Sequence, residues 1–174
     1  MASLTAALVR SAFGPRPEIV CTDKIWNAGI SELRNRANGH RESGAFLIGS
    51  KGRSRRIEEF VYYDDIDASS LSTGIVVIDG RRLGDLWAHC RKTGRSVVAD
   101  IHVHPGGFGQ STSDKANPII AEVGHTAIIV PDFATRGRLP GEIGVYTYLG
   151  SRKWRDRSFD RWSPLHVGWW PSWR

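Results

Sequence analysis

Residues Ala99 to Asp114 read ADIHVHPGGFGQSTSD, a stretch that sets two histidines, a serine and an aspartate at spacings suited to a metal site. The run from Ser96 to His104 has strand composition. Successive side chains of a strand point to opposite faces, so His102 and His104 share one. Pro105 ends the strand, Gly106, Gly107 and Gly109 permit a tight reversal, and Asp114 can return as a third, oxygen ligand. Two imidazoles and one carboxylate leave the fourth position of a tetrahedral zinc open to water, as in catalytic rather than structural sites. A structural zinc would use four protein ligands, commonly cysteines, whereas Cys21 and Cys90 lie far away and share no short ligand spacing.

His102-Val103-His104-Pro105 followed by Ser111-Thr112-Ser113-Asp114 resembles the signature of the JAMM (MPN+, JAB-domain) zinc metallo-isopeptidases, His-x-His-Pro and then Ser-x-x-Asp. The resemblance implies one zinc per chain, held by His102, His104 and Asp114, with Ser111 a hydrogen-bond donor near the reacting carbonyl. Nine residues separate His104 from Asp114, one fewer than in the family, and the shortening falls in the glycine-rich loop, so Ser113 stays the alternative donor. The family also needs an upstream glutamate. Glu42-Ser43-Gly44, leading into Ala45-Phe46-Leu47-Ile48-Gly49 some sixty residues before the histidines, supplies it and makes Glu42 the general base. Asp100, two residues before His102 and on its face, is a candidate to orient a ligand from behind or to form a structural salt bridge.

The same resemblance, covering about Ile19 to Tyr148, implies an MPN-type α/β sandwich, a mixed sheet flanked by helices. It implies cleavage after the C-terminal glycine of a ubiquitin-like protein, in deconjugation or precursor processing. Asp64 to Gly74 and Lys115 to Thr126 are too short for large insertions, so the chain looks like the minimal bacterial members, including those encoded beside ubiquitin-like conjugation enzymes in antiphage systems. The implied partners are a ubiquitin-like protein or its conjugate and cognate conjugation enzymes. Processing of a sulfur-carrier protein in biosynthesis is the alternative within the same fold. A non-catalytic MPN scaffold would not need the complete set of Glu42, His102, His104 and Asp114.

Outward from these motifs, residues 1–17 read as a lead-in ending in Gly14-Pro15-Arg16-Pro17, 18–150 as one domain, and 151–174 as a C-terminal extension. Glu18 to Cys21 has strand composition, Thr22 or Asp23 can cap a helix with Ile25, Ile30 and Leu33 as its stripe, and Asn38-Gly39 stops it. Gly44 to Ile48 and Arg56 to Tyr63 read as strands joined by a hairpin at Ser50-Lys51-Gly52, and Gly74 to Ile78 as a short buried strand. Leu83, Leu86, Trp87 and Cys90 recur at helical spacing, with His89 a partly exposed residue without function, and Thr93-Gly94 ends that helix. Ser113 to Val123 suggests a helix restricted or kinked by Pro118, and Thr126 to Pro131 and Ile143 to Tyr148 are strands. The extension carries Trp154, Trp162, Trp169, Trp170 and Trp173 among Arg, Ser and Pro, a composition that can cover an edge of the core or hold a partner protein.

Length and composition suit one globular domain: 174 residues, 40% apolar and 24% charged. Two cysteines form no disulfide framework, which points to a reducing cytoplasm. Ala2 to Val9 is too short to span a bilayer, so no membrane association is expected. The net charge of +6 could attract nucleic acid, but acids interleave with the arginines and no nucleic-acid-binding motif is present. A solvated face or an acidic protein partner accounts better for it.

Overall fold

Thr22 starts the first helix as its side chain allows, its Oγ1 accepting from the Ile25 amide at 3.3 Å. In the computed structural model, which describes residues 14–72, 80–136 and 138–170, β1 (Ile19–Cys21) leads into α1 (Asp23–Ala37), closed by Asn38 in the left-handed conformation. The buried stripe of α1 is Trp26, Gly29, Ile30, Leu33 and Ala37. Trp26 rather than Ile25 begins it, and its indole can be buried because Nε1 donates to the Arg138 carbonyl at 2.7 Å.

β2 (Gly44–Ser50) and β3 (Arg55–Tyr62) form the expected antiparallel hairpin, and Tyr63 opens a single helical turn, α2 (Tyr63–Ile66), instead of ending the strand. The proposed strand at Gly74 to Ile78 lies outside the described residues. A 3-10 turn (Gly80–Arg82) precedes α3 (Leu83–Thr93), which ends on Gly94 as expected. Only Leu86 and Cys90 of α3 are buried; Trp87, expected on the stripe, is 38% exposed. β4 (Ser96–Val103) follows, then α4 (Thr112–Ala116), β5 (Thr126–Val130), a 3-10 turn (Asp132–Ala134), β6 (Gly144–Gly150), β7 (Lys153–Asp156) and β8 (Leu165–Val167). α4 stops at Ala116, well short of the expected Val123; Pro118 cannot donate the next helical bond.

The eight strands form one mixed sheet in the order β7-β6-β5-β4-β2-β3-β1-β8, with β4–β5, β1–β3 and β1–β8 parallel. β2 is buried on both sides, which explains its unbroken apolar run. Ala45 and Leu47 join α1, Ala99, Ile101 and Val103 in the larger core. Phe46 and Ile48 pack with Tyr63, Leu86 and Cys90 beneath α3 on the other face. The segment after Gly150, expected as an extension, supplies both edge strands: Leu165 and Val167 of β8 sit in the larger core against β1, so the sheet runs through the expected boundary. Among the described residues no helix is long and apolar enough to cross a membrane.

Candidate metal centre

The alternation of β4 sends Ala99, Ile101 and Val103 into the larger core and turns Asp100 and His102 to the opposite face. His104 continues that side just past the strand, where its amide donates to the Val130 carbonyl and its own carbonyl accepts from the Phe133 amide. Both imidazoles are buried, with Nε2 atoms 2.9 Å apart. The chain then returns through α4 with Ser111 as N-cap and Asp114 as the third helical residue. Here Ser-x-x-Asp is a capping box: the Asp114 amide donates to Ser111 Oγ at 3.1 Å, and the Ser111 amide donates to Asp114 Oδ2 at 2.6 Å. The box aims the carboxylate at the histidines, placing Oδ1 3.5 Å from His102 Nε2 and Oδ2 3.3 Å from His104 Nε2.

Glu42 arrives by strand register. β2 pairs antiparallel with β4 with Gly44 opposite His102, and two residues further along the same register bring Glu42 beside His104. Its Oε1 lies 3.9 Å from His104 Nε2. The segment is pinned by Ser43, whose buried hydroxyl donates to the Leu33 carbonyl at the end of α1 at 2.7 Å. Gly44 is required because a Cβ there would collide with the Tyr63 ring and lie 2.8 Å from the Ile101 carbonyl. The Glu-x-Gly spacing therefore combines a charged residue at the strand mouth with a close passage beneath an aromatic ring.

Asp100 does not reach a histidine of the set. Its Oδ1 lies 2.6 Å from His125 Nε2 and its Oδ2 accepts from the Tyr63 hydroxyl at 3.3 Å, a buried network behind the histidines. Of the two readings of Asp100, the salt-bridge geometry is the one present. His125, just before β5, carried no motif to mark it. His89 also has a partner, Glu59 of β3, 2.9 Å from its Nε2.

Among the described residues, His102, His104 and Asp114 each offer a ligand atom within 4.8 Å of the others. Burial favours a neutral imidazole at His102, but its bond to Asp114 and the charges of Asp114, Asp100 and Glu42 outweigh burial and raise its pKa. Burial likewise opposes ionisation of Asp114, yet the bonds from His102, His104 and the Ser111 amide hold its carboxyl well below the usual carboxylate range. Two imidazole nitrogens, an ionised oxygen and a surrounding negative field suit a divalent cation such as zinc. The site opens into a cavity of about 700 Å³ whose walls include Leu83, Ser111, Ser113, Ile119 and Trp154. Trp154 comes from β7, more than fifty residues beyond the metal strand in sequence, and no local spacing connects it to the site.

No family model matches the chain. Over 81 residues, 47% of its length, it is 27% identical to a Sinorhizobium fredii protein named probable metalloprotease y4jG. The chain spans half the length of that curated relative. Among solved structures it is similar to protein DSY2949 from Desulfitobacterium hafniense, with a TM-score of 0.62 and 16% identity over 86% of this chain and 92% of that one. A Salinibacter ruber protein gives a TM-score of 0.50 and 18% identity over 84% and 95% of the two chains. These structures show the shared α/β fold, and the distant named relative points to a metalloprotease.

Proposed function

We propose that this chain is a zinc-dependent peptidase of the JAMM type that cuts after the C-terminal glycine of a ubiquitin-like protein, at a peptide or isopeptide bond. The observation that carries the reading is the convergence of His102, His104 and Asp114 on one point with Glu42 at its rim, 3.9 Å from His104. His102, His104 and Asp114 would hold the zinc. Zinc bound in such a set supplies a Lewis acid and lowers the pKa of water to about 7. Glu42, on the wall of the cavity, takes the proton of the attacking water and delivers it to the leaving amine, so charge is conserved through the cycle. Such acid and base transfer typically contributes ~10²–10⁴ in rate. The Ser111 hydroxyl accepts from the Asp114 amide, which leaves its own proton free to donate to the oxygen that becomes negative as water adds to the carbonyl.

Elemental analysis of the purified chain should find about one zinc. Incubation with ubiquitin-like proteins carrying a C-terminal extension should release the extension after the glycine. Equal zinc content in His102→Ala or Asp114→Ala and the parent would overturn the ligand set, and cleavage at other bonds would overturn the substrate.

A further inference from the structure

β7 is an edge strand with a composition unlike the remainder of the sheet. Among the described residues it pairs only with β6. Trp154, at its centre, faces the metal cavity, so Lys153 and Arg155 project to the opposite side. Arg152 precedes them in the chain, and on the cavity side the Trp154 indole is fixed by its bond to the Lys115 carbonyl at 3.3 Å. Arg152, Lys153 and Arg155 are exposed and form no ion pair with any described residue. Between Arg152 and Asp156 three cations face one acid.

An unpaired edge carries open backbone donors and acceptors that can accept a further strand. Like charge along this edge repels the same edge of a second copy. The charges therefore select a strand of opposite sign. Cross-strand neighbours share a face, so a strand laid on β7 would set acidic residues against Lys153 and Arg155 and apolar residues beside Trp154. Its apolar side chains would then point toward the wall formed by Leu83, Ile119 and Trp154.

Resting on the reading of the cavity as a peptidase site, we propose that the outer edge of β7, unpaired among the described residues, captures an extended segment of the protein substrate in which acidic and apolar residues alternate, and presents it to the metal cavity. Trp154 fixes the apolar positions of that segment and Lys153 and Arg155 its acidic ones. The recognised pattern lies on the substrate, away from the bond that is cut.

The test uses the full chain carrying Glu42→Gln, so that nothing is consumed, and short fluorescein-labelled peptides read by anisotropy at low ionic strength. One alternates Glu with Val, a second alternates Lys with Val, and a third holds the same Glu and Val in separate blocks. The alternating acidic peptide should bind about tenfold more tightly than the other two. Charge reversal at both positions, Lys153→Glu with Arg155→Glu, should invert the preference between acidic and basic peptides at an unchanged melting temperature. Should that variant fold poorly, Lys153→Gln with Arg155→Gln should abolish the preference. Equal binding of the acidic and basic peptides would overturn the proposal, as would equal binding of the alternating and block peptides. Zinc content and cleavage are scored separately on the parent chain. A parent that binds no zinc refutes the site, while the charge inversion, read without hydrolysis, still reports on the edge.

Discussion

Replacing Ser111 by alanine separates two tasks that the same hydroxyl can perform. In the capping box, Ser111 Oγ accepts from the Asp114 amide at 3.1 Å while the Ser111 amide separately holds Asp114 Oδ2 at 2.6 Å. Ser111→Ala deletes the first bond and leaves the second, so Asp114 keeps one of its two restraints. An N-cap side chain contributes about 1 kcal/mol, which is a factor of about five in an equilibrium constant. α4 is only five residues long and contributes no buried residue, so that cost should appear as looser aim of Asp114 rather than as global unfolding. Zinc affinity, measured by competition with a chromophoric chelator, should fall about fivefold at a nearly unchanged melting temperature, just below the roughly tenfold to hundredfold usual for outer partners of a ligand, because the Ser111 amide still holds Asp114. Turnover of zinc-saturated enzyme should fall further, about 10²–10³ if the hydroxyl also donates to the developing oxyanion. Ser111→Thr, which keeps an N-cap oxygen, should restore zinc affinity. Unchanged affinity in Ser111→Ala would refute the claim that the box aims the carboxylate.

On the proposed mechanism, Glu42→Gln should lower turnover by at least about 10²-fold while zinc content stays near that of the parent, because Glu42 is assigned the proton transfer and lies outside the proposed ligand set; retained turnover would exclude it as the base. Gly44→Ala should destabilise the chain by about 1–3 kcal/mol in urea unfolding, since the new methyl meets the Tyr63 ring and the Ile101 carbonyl; an unchanged midpoint would show that the ring moves aside freely. Truncation after Gly150 strips Leu165 and Val167 from the larger core. At about 1.5–3 kcal/mol for each buried side chain, the two together reach the lower end of the stability of a typical domain, about 5 kcal/mol, and circular dichroism should show a strongly lowered melting temperature; an unchanged melt would show that the segment is dispensable to the core. Zinc affinity should also weaken as pH falls, because the raised pKa of His102 lets a proton compete for its nitrogen from above the ordinary imidazole value of 6.5 downward. Affinity that is flat from pH 8 to 5.5 would contradict that competition.

What the sequence reveals about the site depends on whether a local period or a long-range pairing places each residue. His102 and His104 follow from the two-residue repeat of one strand, and the aim of Asp114 from a helix start whose signature is written within four residues. Glu42 needed the β2–β4 register, which the sequence does not state, and was found through the family pattern instead. Trp154 had no such guide: only the β6–β7 hairpin, next to the parallel β4–β5 pair, brings it over the cavity. β8 was hidden for a related reason, since three residues, Leu165 to Val167, carry too little alternation to mark a strand, and its partner β1 is equally short. Asp100 shows where a local inference fixes the face and leaves the partner open. It shares a face with His102 as the period requires, yet both carboxylate oxygens are taken by other elements, Oδ2 by the Tyr63 hydroxyl and Oδ1 by His125. Neighbouring strands lie about 4.8 Å apart; with Asp100 in register with Ala127, the approach to β5 brings His125 onto the carboxylate at 2.6 Å. The buried acid is thus satisfied across the sheet, by His125 beside β5 and by Tyr63 after β3, while the β2–β4 register sets Glu42 3.9 Å from His104 on the wall of the same cavity.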